Sequence, residues 1–360
     1  MQERYFLTDP RRLLEGWLSE GWRVIAPLLR DGALVPDILH NANDLPKGYT
    51  DRQAPGRYEL NPGTPERWFD AVVGPQGWKR WLHPAERTLW RARRSEAGFE
   101  VLPEIDEWPA TIFFGVRPCD LAAIVRQAEV FQCAIDPAYA ARLAATRIVA
   151  VNGGRSAETC FCASMQRGPC EREGHDLALN EVTGGFLVEI GSEDGANLIE
   201  GFALPSASNE QAAEARQRID AAAVSQTRVM PADIAERLQE VSDNLHWETI
   251  ASRCLHCTNC TAVCPTCFCT DVTDRTSLDG KTAERWQRWD SCFSPDFSYL
   301  HGGPVRHSTA SRYRQWMTHK LSSWHEQFGT SGCTGCGRCI TWCPAGIDLV
   351  AEARALAKGE

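Results

Sequence analysis

Long apolar runs are missing from this sequence. None of its 360 residues lies in a stretch approaching the ~18 consecutive apolar residues that predict a transmembrane helix. The opening segment MQERYFLTDPRRLLEGWL is interrupted by charge, and the pair Arg11 and Arg12 is not followed by the apolar stretch of an export signal. The sequence therefore predicts a cytoplasmic protein without a membrane span.

A surplus of positive charge is missing as well. The 38 lysines and arginines are outnumbered by 47 aspartates and glutamates, which gives a formal net charge of -9. General nucleic-acid binding requires a basic face, so this composition argues against it.

No G-x-G-x-x-G fingerprint follows a predicted strand, which disfavours a dinucleotide site of that type, although flavin sites do not all use this motif.

Cysteine, by contrast, is abundant, with 16 residues. Eight of them form two runs in which three Cys stand at two-residue gaps, a fourth follows after three more residues, and Pro comes next. The first run comprises Cys254, Cys257, Cys260 and Cys264 before Pro265, and the second comprises Cys333, Cys336, Cys339 and Cys343 before Pro344. This spacing is that of a bacterial ferredoxin.

In two-cluster ferredoxins the last Cys of each run binds the other cluster. We therefore predict two 4Fe-4S clusters with crossed ligands. The first has Cys254, Cys257, Cys260 and Cys343 as ligands, and the second has Cys333, Cys336, Cys339 and Cys264. Gly335 and Gly337 let backbone N–H groups approach the sulfurs, which raises the reduction potential.

Two other uses of cysteine fit the pattern less well. Structural zinc sites normally group four Cys as two pairs with a longer spacer between them. Disulfide frameworks belong mainly to small secreted domains, whereas this chain is long and shows no export signal.

A third metal site is predicted upstream. The apolar run 111–116 and the apolar run 147–152 read as strands on either side of a helix that begins near Asp120, which makes a βαβ unit. Because the carboxyl ends of parallel strands face the same way, Cys119 should meet Cys160 and Cys162 at one edge. The fourth ligand is unassigned, with Cys170 as the nearest candidate. The alternative is that these Cys are small buried apolar residues.

The remaining pattern gives an α+β fold with two domains. Residues 1–235 are expected to form an α/β domain that contains the βαβ unit and the extra Cys site. Residues 236–360 are expected to form the ferredoxin-like domain for two clusters, with a long insertion at 266–330. We also predict a helix over 9–29, a strand over 185–190 and two helices over 209–241, broken at Pro231.

The insertion adds Cys267, Cys269 and Cys292. These three complete the N-terminal site, form a separate metal site, or simply pack, and the sequence leaves all three interpretations open. The insertion is also rich in cations and tryptophans, which either form an interaction surface or divide into core tryptophans and solvated arginines. They are Arg285, Arg288, Arg306, Arg312, Arg314 and Lys320, with Trp286, Trp289, Trp316 and Trp324.

Several motifs together carry a family resemblance: FFGVRPCDLAAI, TCFCASM, CPTCFCTDVTD, RWDSC and CTGCGRCITWCPAGID. The chain resembles the beta, iron-sulfur subunits of cytoplasmic sulfhydrogenase-type nickel-iron hydrogenases and the related iron-sulfur subunit of anaerobic sulfite reductase. One departure concerns the third site. The family usually has Cys directly after the Asn of the second strand, whereas here Gly153 follows Asn152. A third cluster must then use Cys170, a Cys of the insertion or a non-Cys ligand, or be absent.

The resemblance implies a hetero-oligomer in which a flavoprotein subunit oxidises NAD(P)H and single electrons cross this chain to a catalytic subunit. That subunit is expected to be a soluble nickel-iron hydrogenase. The chain would then be an electron-transfer subunit and not a catalytic chain by itself. Alternatives are the same relay in a sulfite reductase, a self-contained flavin or deazaflavin oxidoreductase, and a zinc-stabilised binding module. Arg117 and Arg338, each beside a predicted ligand, either raise the local potential or form ordinary ion pairs.

Overall fold

The computed structural model describes residues 4–96, 98–103, 107–133, 136–170 and 173–358. Its strands are β1 Arg4–Leu7, β2 Arg23–Arg30, β3 Ala33–Leu39, β4 Tyr49–Ala54, β5 Arg57–Pro62, β6 Glu86–Ser95, β7 Gly98–Pro103, β8 Thr111–Val116, β9 Thr146–Val151, β10 Leu177–Val182, β11 Gly185–Ile190, β12 Thr270–Thr276, β13 Thr282–Trp289, β14 Tyr299–Leu300 and β15 Gly303–Pro304.

The α-helices of the same residues are α1 Arg11–Ser19, α2 Lys79–Leu82, α3 Pro118–Cys133, α4 Pro137–Ala144, α5 Glu193–Ile199, α6 Asn209–Val224, α7 Ile234–Glu240, α8 His246–Ala251, α9 Asn259–Ala262, α10 Thr309–Thr318, α11 Trp324–Phe328, α12 Arg338–Thr341 and α13 Leu349–Lys358. Short 3-10 turns lie at Ala42–Asp44, Glu200–Phe202 and Asp296–Ser298, and a π-helical turn lies at His319–Ser323.

A seven-stranded mixed sheet organises the N-terminal part, in the order β1-β11-β10-β9-β8-β2-β3. Its four central strands, β10, β9, β8 and β2, run parallel. Every residue of β8 is buried, because a central parallel strand is covered on both faces. Ile112 and Phe114 pack with α1 on one face, whereas Phe113 packs with α3 on the other. Val116 joins the α3 face because the register shifts between Phe114 and Val116.

The predicted βαβ unit is present, with β8 and β9 as parallel neighbours joined through α3 and α4. The strand over 185–190 is confirmed as β11. The two helices around Pro231 are also confirmed: α6 starts from a capping box between Ser208 and Gln211, and α7 begins after Pro231.

The helix predicted over 9–29 is wrong beyond Ser19. Helix α1 buries Leu13, Leu14 and Trp17 as expected, but the chain then turns through Gly21, whose φ is +87°. Residues 23–30 form strand β2 in place of further helix. Because β2 is buried on both faces, its apolar residues are consecutive, and such a run also satisfies part of a helical period.

A second, antiparallel sheet has the order β12-β13-β6-β7. Strand β13 of the insertion pairs with β6, and Arg285 stands opposite Trp90. The insertion is therefore part of a sheet shared with the N-terminal region and is not an isolated loop. Helices α7, α8, α10 and α13 surround a separate apolar core that includes Trp247, Met317 and Leu356. The domain boundary near residue 235 stays a prediction.

Candidate metal centres

The first predicted ligand set lines one cavity. Cys254, Cys257 and Cys260 come from the first run and Cys343 from the second, although the two runs are far apart in the chain. The other walls are mainly apolar, and they include Phe293, Tyr313, Trp316, Ile347 and Leu349. The backbone N–H of Ile347 donates to Cys343 Sγ at 3.4 Å.

The second set is brought together in the same crossed manner. Burial raises the pKa of the Cys339 thiol, and the neighbouring thiols of Cys333, Cys336 and Cys264 raise it further. Burial also raises the pKa of Cys333, to about 11. The backbone N–H of Gly335 donates to Cys333 Sγ at 3.4 Å, which fits the predicted role of the glycine.

The two runs share one local backbone geometry. In the first run His256 and Thr258 have φ values of +52° and +61°, and at the equivalent positions of the second run Gly335 and Gly337 have +71° and +75°. A short helix begins directly after the second of these residues in each cysteine run. It is α9 after Thr258 and α12 after Gly337. Each loop thereby turns its three cysteines toward a common centre.

The glycines of the second run have an additional role. A Cβ on Gly335 would lie 2.6 Å from Cys162 Cα, and one on Gly337 would lie 2.4 Å from the carbonyl oxygen of Thr159. The Phe161 N–H donates to the Gly335 carbonyl at 2.8 Å. The second run therefore docks with its bare backbone against the loop that carries Cys160 and Cys162.

The third predicted set also converges. Cys119 stands in the first turn of α3, directly after β8, and Cys160 and Cys162 follow β9. The two sulfurs of Cys160 and Cys162 are 3.4 Å apart. A hydrogen bond with Cys160, together with burial, raises the pKa of Cys119. All three line a cavity that also reaches Cys336 of the second set.

Apart from Cys336, which belongs to the second set, no further cysteine of the described residues lines this cavity. Cys170 is exposed and lines a separate depression with Leu121 and Arg126. Gly153, where the family usually has Cys, lies in the cavity wall, and a Cβ there would be 3.6 Å from Arg117 Nη1. The donor set fits three thiolates of a cluster, with the fourth position open.

The two arginines beside predicted ligands differ in their partners. Arg338 is buried and forms a bidentate ion pair with Asp120, with Nη2 at 2.8 Å from Oδ2, and its Nε donates to the Gly74 carbonyl at 3.0 Å. Arg117 donates to the carbonyls of Phe69 and Ala71. Burial lowers the pKa of Arg117. The sequence predicts that each arginine either raises the local reduction potential or forms an ordinary ion pair. Arg338 forms the ion pair.

The three insertion cysteines make two thiol contacts, Cys267 with Cys264 and Cys269 with Cys292. A hydrogen bond from the Cys267 thiol is the main cause that lowers the pKa of Cys264. A hydrogen bond with Cys292 lowers the pKa of Cys269 to about 7. Cys267 and Cys269 line a cavity with Lys79 and Trp289. Among the described residues, these three cysteines line neither the cavity of Cys119, Cys160 and Cys162 nor that of the first set, so the geometry does not favour their completing the N-terminal site.

The predicted basic, aromatic surface is not one surface. Trp316, Trp324, Arg312 and Lys320 are buried. Arg285 and Arg288 are exposed on β13 and pair with Asp274 and Asp271 of the neighbouring strand. Core tryptophans and solvated arginines, the second interpretation, therefore describe Trp316, Trp324, Arg285 and Arg288, whereas the burial of Arg312 and Lys320 follows neither interpretation.

Sequence reasoning missed two groups that contact ligand sulfurs. Gln226 Nε2 lies 3.2 Å from Cys162 Sγ, and Lys320 Nζ lies 3.3 Å from Cys264 Sγ. Gln226 stands just after α6 in a polar linking stretch, where no local signal distinguishes it from a solvated residue. Lys320 stands three and four residues after Met317 and Trp316, and this helical spacing from two large apolar residues is the signal that could place it in the interior.

Within the described ranges, no group of three or more His, Cys, Asp or Glu side chains is placed to hold a single metal ion.

Among the described residues, every helix is too short or too polar to span a bilayer.

Comparisons with known proteins agree with this chemistry. Residues 253–347 match the family model of a 4Fe-4S dicluster domain. The chain is 29% identical over 280 residues to sulfhydrogenase 2 subunit beta of Pyrococcus furiosus. The aligned region covers 75% of this chain and 82% of that protein. The predicted resemblance is thus confirmed: the chain is an iron-sulfur electron-transfer protein, homologous to a hydrogenase beta subunit, with a ferredoxin-like dicluster domain in its C-terminal part.

Proposed function

We propose that this chain relays electrons between a flavoprotein subunit that oxidises NAD(P)H and a catalytic subunit, a nickel-iron hydrogenase. The observation that carries the proposal is the crossed placement of two four-thiol sets, each with one cysteine from the distant run. Iron-sulfur clusters bound there would accept and donate single electrons. The side chains of this protein hold the clusters, exclude water and set their potentials.

The cavities suggest the order of the sites. Cys339 belongs to the second ligand set but also lines the cavity of the first. Cys336 belongs to the second set and also lines the cavity of Cys119, Cys160 and Cys162. The second set thus lies between the other two, and adjacent sites share a wall. We propose that electrons pass between the first and second sites in this order, and that a cluster in the third site would extend the same path.

The surroundings suggest which end is open to a partner. Cys257 is exposed at the first site, and so is its neighbour Leu255, which lines the same cavity. The second set is more enclosed, since Cys264 and Cys333 are buried. A partner that exchanges electrons with the first site can therefore approach its cluster closely. The name of the homologous protein, a subunit of a sulfhydrogenase, supports the existence of partner subunits.

The proposal is tested by purifying the chain anaerobically with its co-purifying subunits and following the visible absorbance of the clusters. NAD(P)H should bleach that absorbance only when the flavoprotein subunit is present, whereas dithionite should bleach it in the isolated chain. Nickel in the complex would identify the hydrogenase, and sirohaem would identify a sulfite reductase instead. Bleaching of the isolated chain by NAD(P)H, with a flavin bound to it, would contradict a relay and support a self-contained flavin oxidoreductase.

A further inference from the structure

Lys320 is a buried ammonium group that faces a predicted ligand. Only 6% of the residue is exposed. Its Nζ donates to Cys264 Sγ at 3.3 Å, to Thr266 Oγ1 at 3.1 Å and to the Gly332 carbonyl at 3.4 Å. Its own carbonyl accepts from the Gly332 N–H at 2.8 Å, so both ends of the residue are tied to the segment just before Cys333.

The backbone at Lys320 explains how it reaches that position. Helix α10 ends at Thr318, and residues His319–Ser323 form a π-helical turn before α11 begins. A π-helical turn inserts an extra residue into a helix and changes the direction of the side chains that follow, and such turns are frequent at functional sites. Lys320 continues the buried face of α10, because it stands three and four residues after Met317 and Trp316, which are also buried.

The charge of Lys320 has no carboxylate partner. None of the ion pairs between described side chains involves this residue, and its polar contacts are a sulfur, a hydroxyl and a carbonyl. A buried ammonium ion is costly unless an anion compensates for it. The groups available for this are the thiolates of Cys264, Cys267 and Cys333, which are its electrostatic neighbours.

The first site offers no such cation. Its cavity is lined by its cysteines and by largely apolar and aromatic side chains, with no lysine or arginine among the described residues that line it. Near the second site two further cations are buried: Arg338 is already neutralised by Asp120, and Lys79 donates to the carbonyls of Thr261 and Cys267 and lies over the Trp289 ring. Among these described cations, Lys320 is the one that donates to a predicted ligand sulfur, and this contact distinguishes the second ligand set from the first.

We propose that Lys320 raises the reduction potential of the cluster held by Cys333, Cys336, Cys339 and Cys264 above that of the cluster held by the first set. The inference rests on the proposed function. A reduced cluster carries one more negative charge than the oxidised one, and a fixed positive charge in a water-free site stabilises it. Lys320 is thus a positioning residue that acts through Cys264. It makes reduction of the enclosed second cluster more favourable than reduction of the exposed first cluster.

The test is an anaerobic redox titration followed by electron paramagnetic resonance, on the complex with its partner subunits. Three substitutions separate charge from hydrogen bonding: Lys320→Met removes both, Lys320→Gln keeps a donor, and Lys320→Arg keeps the charge. The control is Lys281→Met, because the side chain of Lys281 is 74% exposed in the turn between β12 and β13. Iron is counted in every sample before titration.

We expect Lys320→Met and Lys320→Gln to lower one midpoint potential and leave the other in place. The expected change is at least tenfold in the reduction equilibrium constant, or about 59 mV for a one-electron couple. Lys320→Arg and Lys281→Met should change it less than twofold. If the Lys320→Met variant does not assemble its clusters, the midpoint potentials of Lys320→Gln and Lys320→Arg still decide whether the charge or the hydrogen bond of Lys320 is the cause.

The proposal is overturned if Lys320→Gln retains its iron and both midpoints stay within a twofold change of wild type. It is equally overturned if Lys320→Arg lowers the potential as much as Lys320→Gln does, since charge would then not be the cause. These results differ from a failure of the proposed function, in which the wild-type complex would contain no clusters to titrate.

Discussion

Alanine at Gly337 should loosen the docking of the second cysteine run. The new Cβ would lie 2.4 Å from the Thr159 carbonyl oxygen and 2.6 Å from the Thr159 carbonyl carbon, both backbone atoms. A non-glycine residue at the observed φ of +75° costs about 1 kcal/mol, and forcing extra volume into a packed contact costs roughly 2 kcal/mol. Together these give a destabilisation of about 3 kcal/mol.

The first run supplies a matched control. Thr258 stands at the equivalent position with φ +61° and already carries a side chain, so Thr258→Ala changes neither the backbone nor the Cβ. Its effect should stay within about 0.5 kcal/mol. Thermal unfolding of the anaerobically purified proteins, followed by tryptophan fluorescence, should show a midpoint about 5 °C lower for Gly337→Ala. Equal midpoints for the two variants would refute the docking geometry.

Three further predictions follow. Replacing Asp120 by Asn leaves the buried Arg338 charge unpaired, so unfolding should become easier by about 3 kcal/mol in thermal melts, whereas Asp274→Asn on the exposed β12 should have little effect. Burial lowers the pKa of His83 to about 3, so below the ordinary histidine pKa of 6.5 the unfolded chain binds a proton that the folded chain does not. Stability should therefore fall by about 1 kcal/mol between pH 7 and 5.5, and His83→Gln should remove that part of the pH dependence. If a third cluster exists, Cys119→Ser should lose about four irons per chain and Cys170→Ser none; equal loss from both would contradict the cavity geometry.

Much of the ligand arrangement could be predicted because cysteine spacing reflects cluster chemistry directly. The two runs predict the sets that the structure brings together, and the apolar runs of β8 and β9 predict the parallel strands that carry Cys119, Cys160 and Cys162 to one place. These signals are local in the sequence or follow from a connection rule for neighbouring strands. They need no knowledge of distant contacts.

Other features depend on long-range contacts and have no local signal. The pairing of β13 with β6 joins residues almost 200 positions apart in the chain, such as Arg285 and Trp90. Lys320 stands on the same helical face as the buried Trp316 and Met317, but its contact with Cys264 joins residues 56 positions apart in the chain. The pattern predicts a helix beyond the end of α1 because a fully buried strand and a helix can share the same short apolar run.

The central claim is that this chain holds cubane clusters on crossed cysteine sets. The most direct measurement is the content of iron and acid-labile sulfide per chain after anaerobic purification, with zinc measured in the same sample. The account predicts at least about eight irons and eight sulfides, since each cubane contains four of each. A colourless protein that contains zinc, has no labile sulfide and accepts no electrons from dithionite would contradict it.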